Sequence, residues 1–383
     1  MAPTQEALYR DLDLDLSWSE AELPERERTK HVHRLHPYLG KFIPQLVEVL
    51  LDRYLPRGGR VLDPFAGSGT TLVQALESGL DAAGADIAAF NCLLMRVKTA
   101  RYNKFTLETE LRDAVGRLER ACPGARHSAR HLDVAGKDMS SYVREWYAPR
   151  AAGELLFWRA LVNEYEHADV MRVVLARAAR SARRTTHFDL DFPRAPQLEP
   201  YWCHKHRRTC RPVDRASHFL RRYALDTLAR IKAFARARAR GREALVQHGD
   251  ARELEWAGPY DGVVTSPPYP GLIDYHEQHC YAYELLGLED LRELELGSAA
   301  AGTSRAALAD YAESIAAALC NAAKALRPGA PIAIVVNDRR GLYPAILERA
   351  GLQLEERLRR HVNRRTGRRA GEFFEDVLVS RAA

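Results

Sequence analysis

Two short stretches of this sequence hold side chains whose types and spacing suit chemistry. The first, Asp63-Pro-Phe-Ala-Gly-Ser-Gly-Thr-Thr71, follows the apolar run Arg60-Val-Leu and precedes a helical pattern. Gly67 and Gly69 let the backbone approach a ligand closely at the carboxyl end of a strand, where open α/β sheets form their binding crevice. Asp63 would stand at that strand end, ready to pair with a cationic group. The spacing is not Gly-x-Gly-x-x-Gly, and no Lys-Ser/Thr follows Gly69. A dinucleotide fingerprint and a phosphate-binding P-loop therefore both fit poorly. The second stretch, Thr265-Ser-Pro-Pro-Tyr269, also follows an apolar strand pattern. Its two prolines fix the backbone and remove two N–H donors, leaving carbonyls as acceptors. An acceptor carbonyl beside the Ser266 hydroxyl suits an –NH2 group held by its two hydrogens, with its lone pair directed elsewhere. Tyr269 offers a flat face on which a base could stack.

The elements that must position these residues follow from hydrophobic periodicity. Residues 31–51 read as a loop and then a helix, with Pro44 near the first turn and Leu46, Val47, Leu50 and Leu51 as its buried stripe. A strand at 60–63, a glycine turn, a helix from Thr70 closed by Gly79, and a strand at 81–86 come next. Asp86 ends that second strand, placed to accept hydrogen bonds from ribose hydroxyls. A further helix runs to about Lys98. Strand, glycine loop, helix, strand and terminal acid form the first half of a Rossmann-like parallel sheet. Residues 101–240 instead show helical periodicity, broken by a proline-containing stretch at 185–213, with a helix starting near Asp214 or Ser217. Strand patterns resume at Ala244–His248, leading to Gly249-Asp250, and at Tyr260–Thr265 and Pro331–Val336. A helix at 343–350, a strand at 352–359, a basic loop and a last strand at 375–380 complete the pattern.

The expected fold is α/β: a Rossmann-like sheet, mostly parallel with the last strand antiparallel, carrying a helical basic insert. The expected segments are an arm at 1–30, a first catalytic half at 31–100, the insert at 101–240 and a second half at 241–383. Charge supports the division. The chain carries +6 overall, yet 101–240 holds 29 Lys/Arg against 16 Asp/Glu, leaving the remainder at −7. Within 201–240 the ratio is 12 to 2. A basic block in an otherwise acidic chain suits a polyanion partner, because Lys and Arg placed against phosphates release counterions. No apolar run approaches the roughly 20 residues that span a bilayer, and the polar start lacks a secretory leader. Six cysteines scattered over 383 residues suggest reduced thiols. The expectation is a soluble, cytoplasmic protein without a membrane partner.

Asp63-Pro-Phe-Ala-Gly-Ser-Gly-Thr with a downstream Ser-Pro-Pro-Tyr resembles the amino-directed DNA methyltransferases, which form N4-methylcytosine or N6-methyladenine from S-adenosylmethionine. The resemblance covers about 31–100 and 241–383. It implies that Asp63, Phe65, Ala66, Gly67, Gly69 and Thr70 bind the methyl donor, with Asp86 and Ile87 at the ribose and Asp250 and Ala251 at the adenine. His36, Tyr38, Lys41 and Phe42, from the segment His36-Pro-Tyr-Leu-Gly-Lys-Phe42, resemble the family's extra cofactor motif. Ser266, Pro267, Pro268 and Tyr269 would form the catalytic pocket for a flipped base, working by direct displacement. Serine in the first tetrad position resembles the N4-cytosine branch; N6-adenine DNA methylation and methylation of an RNA amino group are the alternatives. A carbon-5 cytosine enzyme needs a nucleophilic cysteine, usually after proline, and the chain has no Pro-Cys dipeptide. The implied partner is double-stranded DNA, with a separately encoded restriction endonuclease as a companion.

Three weaker signals remain. Cys203, His206 and Cys210 invite a zinc reading with His218 or His187 as a fourth ligand, but the spacing departs from a Cys-x2-Cys knuckle, so no metal is expected. Asp274-Tyr-His276-Glu-Gln-His279 would shape the base pocket. Arg359, Arg360, Arg364, Arg365, Arg368 and Arg369 would grip phosphate from a loop between the final two strands.

Overall fold

A computed structural model of the chain describes residues 16–18, 22–38, 40, 42–121, 139–185, 195–203, 207–362 and 373–382. It separates into two compact units. One comprises residues 1–99, 236–275 and 291–383; the other comprises 100–235 and 276–290.

The first unit is built on a seven-stranded sheet. Its strands are β1 (Arg60–Asp63), β2 (Asp81–Asp86), β3 (Ala244–His248), β4 (Gly262–Thr265), β5 (Ile332–Val336), β6 (Leu352–Val362) and β7 (Phe373–Ala382). Their spatial order is β3-β2-β1-β4-β5-β7-β6. β3, β2, β1, β4 and β5 pair in parallel, in registers such as Arg60↔Asp81, Val61↔Gly262 and Val263↔Ile332. β7 alone runs against its neighbours, with Ile332↔Ser380 on one side and Leu352↔Ala382 on the other. This is the Rossmann-like sheet with an antiparallel last strand that the hydrophobic pattern predicts.

Helices cover both faces because the central strands bury residues on both. All five residues of β5 are buried, and they alternate between two cores as a pleat requires. Ala333 and Val335 join Val264, Val377 and Val379 under helix α1 (Pro44–Tyr54) and helix α2 (Thr70–Ser78). Ile332, Ile334 and Val336 join Val263 and Leu378 under α4 (Arg305–Ala323) and α5 (Tyr343–Arg349). α1 begins with Pro44 in its first turn and buries Leu46, Val47, Leu50 and Leu51, the stripe read from sequence. α3 (Ala89–Thr99) follows β2. The chain proceeds outward from β1 to β2 and β3, then returns to β4 on the other side of β1. The β1/β4 boundary is thus the switch point where such sheets hold ligands.

In the second unit, helices Pro149–Leu161 and Ala168–Ala182 pack around Trp158, Tyr147 and Tyr281, all fully buried. Glu154 is 0% exposed, and its Oε2 accepts hydrogen bonds from the backbone N–H groups of Ala216 (2.6 Å) and Ser217 (2.7 Å). A buried carboxylate thereby satisfies the free donors that start helix Ser217–Ala237.

Four expectations need correction. The stretch 276–290 groups with the second unit, because helix Cys280–Leu286 buries Tyr281, Ala282, Tyr283 and Leu285 there. The segment 1–30 is not a free arm throughout: Leu16 and Leu23 are buried, Leu16 within the core of the first unit. An antiparallel ribbon, Tyr201–Cys203 against Arg208–Cys210, interrupts the helical insert. Arg359 and Arg360 lie inside β6 rather than in a loop, and Arg360 is 4% exposed. Arg364, Arg365, Arg368 and Arg369 lie outside the described residues.

Candidate active site

The two motifs meet at the switch point. The glycine loop leaves β1 and the Ser-Pro-Pro-Tyr tetrad leaves β4, and these strands are hydrogen-bonded neighbours. A cleft opens there, and its wall includes Phe65, Ala66, Gly67 and Thr70 from the loop and Ser266 and Pro268 from the tetrad. Tyr38, Phe42, Asp86, Ile87, Asp250 and Ala251 complete the set of expected residues on that wall.

Local backbone explains the loop. Gly67 has φ 52° and Gly69 φ 80°, left-handed values that strain a side chain. A Cβ on Gly69 would stand 2.8 Å from Met95 Cγ, so glycine also lets the loop lie against α3. The Gly67 N–H donates to Asp86 Oδ2 at 3.0 Å, which ties the loop to the end of β2. Asp86 Oδ1 accepts from Ala88 N (2.8 Å) and Asn91 Nδ2 (3.0 Å) at the start of α3. A carboxylate has about four acceptor sites, so these donors leave Asp86 capacity for one further hydroxyl. Burial raises its pKa against the effect of those hydrogen bonds.

Asp63 behaves differently from expectation. It is 1% exposed, is absent from the cleft wall, and its Oδ1 accepts from Thr265 Oγ1 (2.6 Å) and Phe65 N (3.1 Å). It joins the ends of β1 and β4 rather than facing the cleft. Burial raises its pKa to about 6, despite hydrogen bonds from Thr265, Thr71 and Phe65 that favour the carboxylate. Gly69, His36, Pro267 and Tyr269 are likewise absent from the cleft wall. His36 is buried, its Nδ1 donating to the Pro37 carbonyl at 2.8 Å and its ring edge-on to Phe90. Lys41 lies outside the described residues, as do His187 and His206 of the zinc reading.

Asp250 is held by Arg252, whose Nη2 stands 2.6 Å from Oδ2 and whose backbone N–H donates to Oδ1 at 2.9 Å. Burial would raise its pKa, but these hydrogen bonds outweigh it and hold the carboxyl below its ordinary value.

In the tetrad, Ser266 Oγ donates to the Val335 carbonyl at 2.9 Å. Its proton is committed to β5, so the hydroxyl presents acceptor lone pairs to anything in the cleft. Tyr311 Oη donates to the Pro268 carbonyl at 2.8 Å and braces the turn. Pro267 is buried, and Tyr269 is half-buried with its hydroxyl 3.3 Å from Glu375 Oε1. Burial, then the Glu375 carboxylate, push this phenol well above its usual pKa, so it is the donor.

Tyr275 belongs to the Asp274–His279 segment expected at the base pocket, whereas several other residues of the site carry no sequence signal. Tyr275 lines the cleft and stacks on Tyr38, with centroids 5.3 Å apart and planes 13° from parallel. Leu294, Glu295 and Leu296 also line it, and Glu295 Oε1 accepts from Tyr275 N at 2.6 Å. Lys98 is 1% exposed and its ammonium donates to the Ser68 carbonyl, holding the glycine loop from behind. Their partners lie tens to hundreds of residues away, beyond the reach of local pattern. Elsewhere in this unit His31, His33 and Glu77 converge, but the Lys30 ammonium, 2.8 Å from Glu77, already supplies a cation there.

The cleft suits S-adenosylmethionine on chemical grounds. It combines acceptors at the ends of β2 and β3, apolar walls from Phe42, Phe65, Ile87 and Leu296, and a glycine turn at the strand end.

Comparison with related sequences agrees. Residues 6–95 match the family model described as DNA methylase. The chain is 35% identical to the Type II methyltransferase M.MjaII of Methanocaldococcus jannaschii, over 98% of this chain and 84% of that protein. It is 24% identical to the Type II methyltransferase M.MvaI of Kocuria varians, over 44% of this chain and 38% of the relative. Among solved structures, TrmN from Thermus thermophilus matches with TM-score 0.34 and 13% identity, covering 90% of this chain and 50% of that one. The near-full-length relationship to M.MjaII, joined to the glycine loop and Ser-Pro-Pro-Tyr tetrad at one switch point, places the chain in the amino-directed, S-adenosylmethionine-dependent DNA methyltransferase family.

Proposed function

We propose that the protein is a site-specific DNA methyltransferase that modifies the N4 amino group of cytosine in double-stranded DNA. The observation that carries the reading is the Ser266 hydroxyl, which lines the cleft with its own proton given to Val335. A group that can only accept hydrogen bonds selects an –NH2 over a carbonyl. When bound, S-adenosylmethionine supplies a methyl group on a sulfonium sulfur. Phe65, Ala66, Gly67 and Thr70 would hold its methionine part, Asp86 and Ile87 its ribose, and Asp250 and Ala251 its adenine. Tyr38 and Phe42 would cover it.

The rest is positioning. Ser266 Oγ and the Pro267 carbonyl accept the two amino hydrogens and turn the nitrogen lone pair toward the methyl carbon. Tyr269 supports the flipped base on its ring face. The amino nitrogen would attack the methyl carbon in line as the carbon–sulfur bond breaks and the sulfur leaves as a neutral thioether. The methylated nitrogen would then lose one proton to solvent, without a covalent enzyme intermediate. Serine at the head of the tetrad favours cytosine, and the basic insert favours duplex DNA over a bare nucleobase.

The test is incubation with labelled S-adenosylmethionine and duplex DNA, followed by nucleoside mass spectrometry. Label is expected as N4-methylcytosine. Label in N6-methyladenine would replace the cytosine assignment, and label only in RNA or in 5-methylcytosine would overturn the reading. Tyr269→Ala is expected to abolish transfer while leaving cofactor affinity within about twofold.

A further inference from the structure

We propose that Glu375, anchored by Arg360, is a positioning residue that fixes the ring of Tyr269 by accepting a hydrogen bond from its hydroxyl. The inference rests on the reading of Tyr269 as the base-supporting residue.

The contacts form a continuous relay within the first unit. Tyr269 Oη donates to Glu375 Oε1 at 3.3 Å, and Glu375 Oε2 lies 3.2 Å from Arg360 Nε. Arg360 and Glu375 face one another directly in the β6–β7 register. Their side chains are only 4% and 12% exposed. Arg360 is fixed in turn from the amino-terminal segment: its guanidinium lies 6.0 Å from the Trp18 ring and its Nη1 donates to the Leu16 carbonyl at 3.5 Å. The other end of the tetrad is tied to the same sheet edge. Ser266 Oγ donates to Val335 at the end of β5, and the Asn337 side chain donates to the Phe374 carbonyl beside Glu375. Ser266 and Tyr269 are therefore referenced to adjacent strands, so the distance between acceptor and ring face is set by the sheet.

Stability alone is a poor reason for this pair. Desolvating two charges offsets most of their attraction, and apolar residues of similar volume commonly serve a core as well or better. What an apolar pair cannot do is accept the Tyr269 hydrogen bond. A ring whose hydroxyl had lost Glu375 and kept only its contact with Ser266 would still stack, but over a wider range of angles. Misplacement of about 1 Å at a reacting centre costs as much as a hundredfold in rate.

The test is a mutant cycle on single-turnover methylation of duplex DNA, with cofactor affinity by calorimetry and thermal unfolding in parallel. The variants are Tyr269→Phe, the paired replacement Arg360→Met with Glu375→Leu, and the triple combination. Tyr269→Phe is expected to lower the methylation rate about tenfold, with cofactor affinity unchanged. The paired replacement should lower it equally while the protein remains folded, and the triple variant should be no slower than either. Losses that multiply in the triple variant would overturn the relay, as would a Tyr269→Phe variant with the wild-type rate. That second outcome decides the matter even if the paired replacement fails to fold. A wild-type protein that methylates no base would instead remove the functional reading beneath the relay, which separates the two failures.

Discussion

At the scale of single residues, buried carboxyls have been given different tasks by their neighbours. Asp86 lines the cleft and retains acceptor capacity, whereas Asp63 is enclosed between two strand ends. Burial raises Asp63 to about 6 from 3.8. A carboxyl whose folded pKa exceeds its unfolded one binds more protons when folded, so stability is fullest below about pH 4 and falls as pH rises through 6. The shift of roughly two units corresponds to about 3 kcal/mol at most. Asp63→Asn keeps an oxygen for Thr265 and Phe65 and cannot ionise. Its stability relative to wild type is expected to improve as pH rises from 4 to about 7, by up to about 3 kcal/mol. Urea unfolding at a series of pH values checks this, and a difference that does not vary with pH would refute it. Both acids were legible in sequence because each ends an apolar run. That Asp63 turns inward was not, since the cause is Thr265, some two hundred residues downstream.

At the scale of elements, the glycine loop is a device for joining β1, β2 and α3 around one cleft. Its Gly67 is tied to Asp86 at the end of β2, and the next residue, Ser68, to α3 by the Lys98 ammonium on its carbonyl. Sequence pattern located the strand, the loop and both helices, since the burial stripes are regular. It read Lys98 only as the approximate end of a helix, because a lysine near a helix carboxyl end is ordinarily solvated. The same limit hid Glu295, which reaches the cleft from a segment with no motif, and showed Tyr275 only as one member of a segment expected at the base pocket. It also misled at Arg360, where a run of arginines in sequence suggested a phosphate grip but the strand pairing turns one of them inward onto Glu375. If Lys98 holds the loop, Lys98→Met keeps the apolar stem and removes the tie. The expected result is a loss of about 1–3 kcal/mol in stability and at least about fivefold weaker S-adenosylmethionine binding, because the loop is no longer preorganised. Calorimetric titration of the folded variant decides it: unchanged affinity would mean that Lys98 serves the core alone.

At the scale of the whole molecule, the question is what the excess positive charge of the second unit is for. Its acids are largely spent inside it. Glu154 pairs with Arg150, Asp226 with Arg177 and Arg230, Glu108 with Lys232 and Arg112, and Glu164 with Arg117. The surplus is in arginines such as Arg207, Arg208, Arg211 and Arg222, which are exposed. Acids already paired within the unit and arginines left exposed suit a face meant for phosphate, and they explain why charge was readable in sequence while the fold of this unit was not. Composition survives any rearrangement of helices; the pairing of Glu154 with the Ala216 and Ser217 N–H groups does not show in it. A partner held by phosphate contacts must bind with steep salt dependence. With six or more contacts, affinity for duplex DNA is expected to fall about a thousandfold or more between roughly 50 and 200 mM salt. Changing Arg207, Arg208 and Arg211 together to Ala should reduce the log–log slope by about two to three, with cofactor affinity in the other unit unmoved. Fluorescence anisotropy over a salt series measures both slopes. A shallow wild-type slope would remove the phosphate-binding role from this unit, and a steep slope left intact by the triple variant would move that role to other residues of its surface.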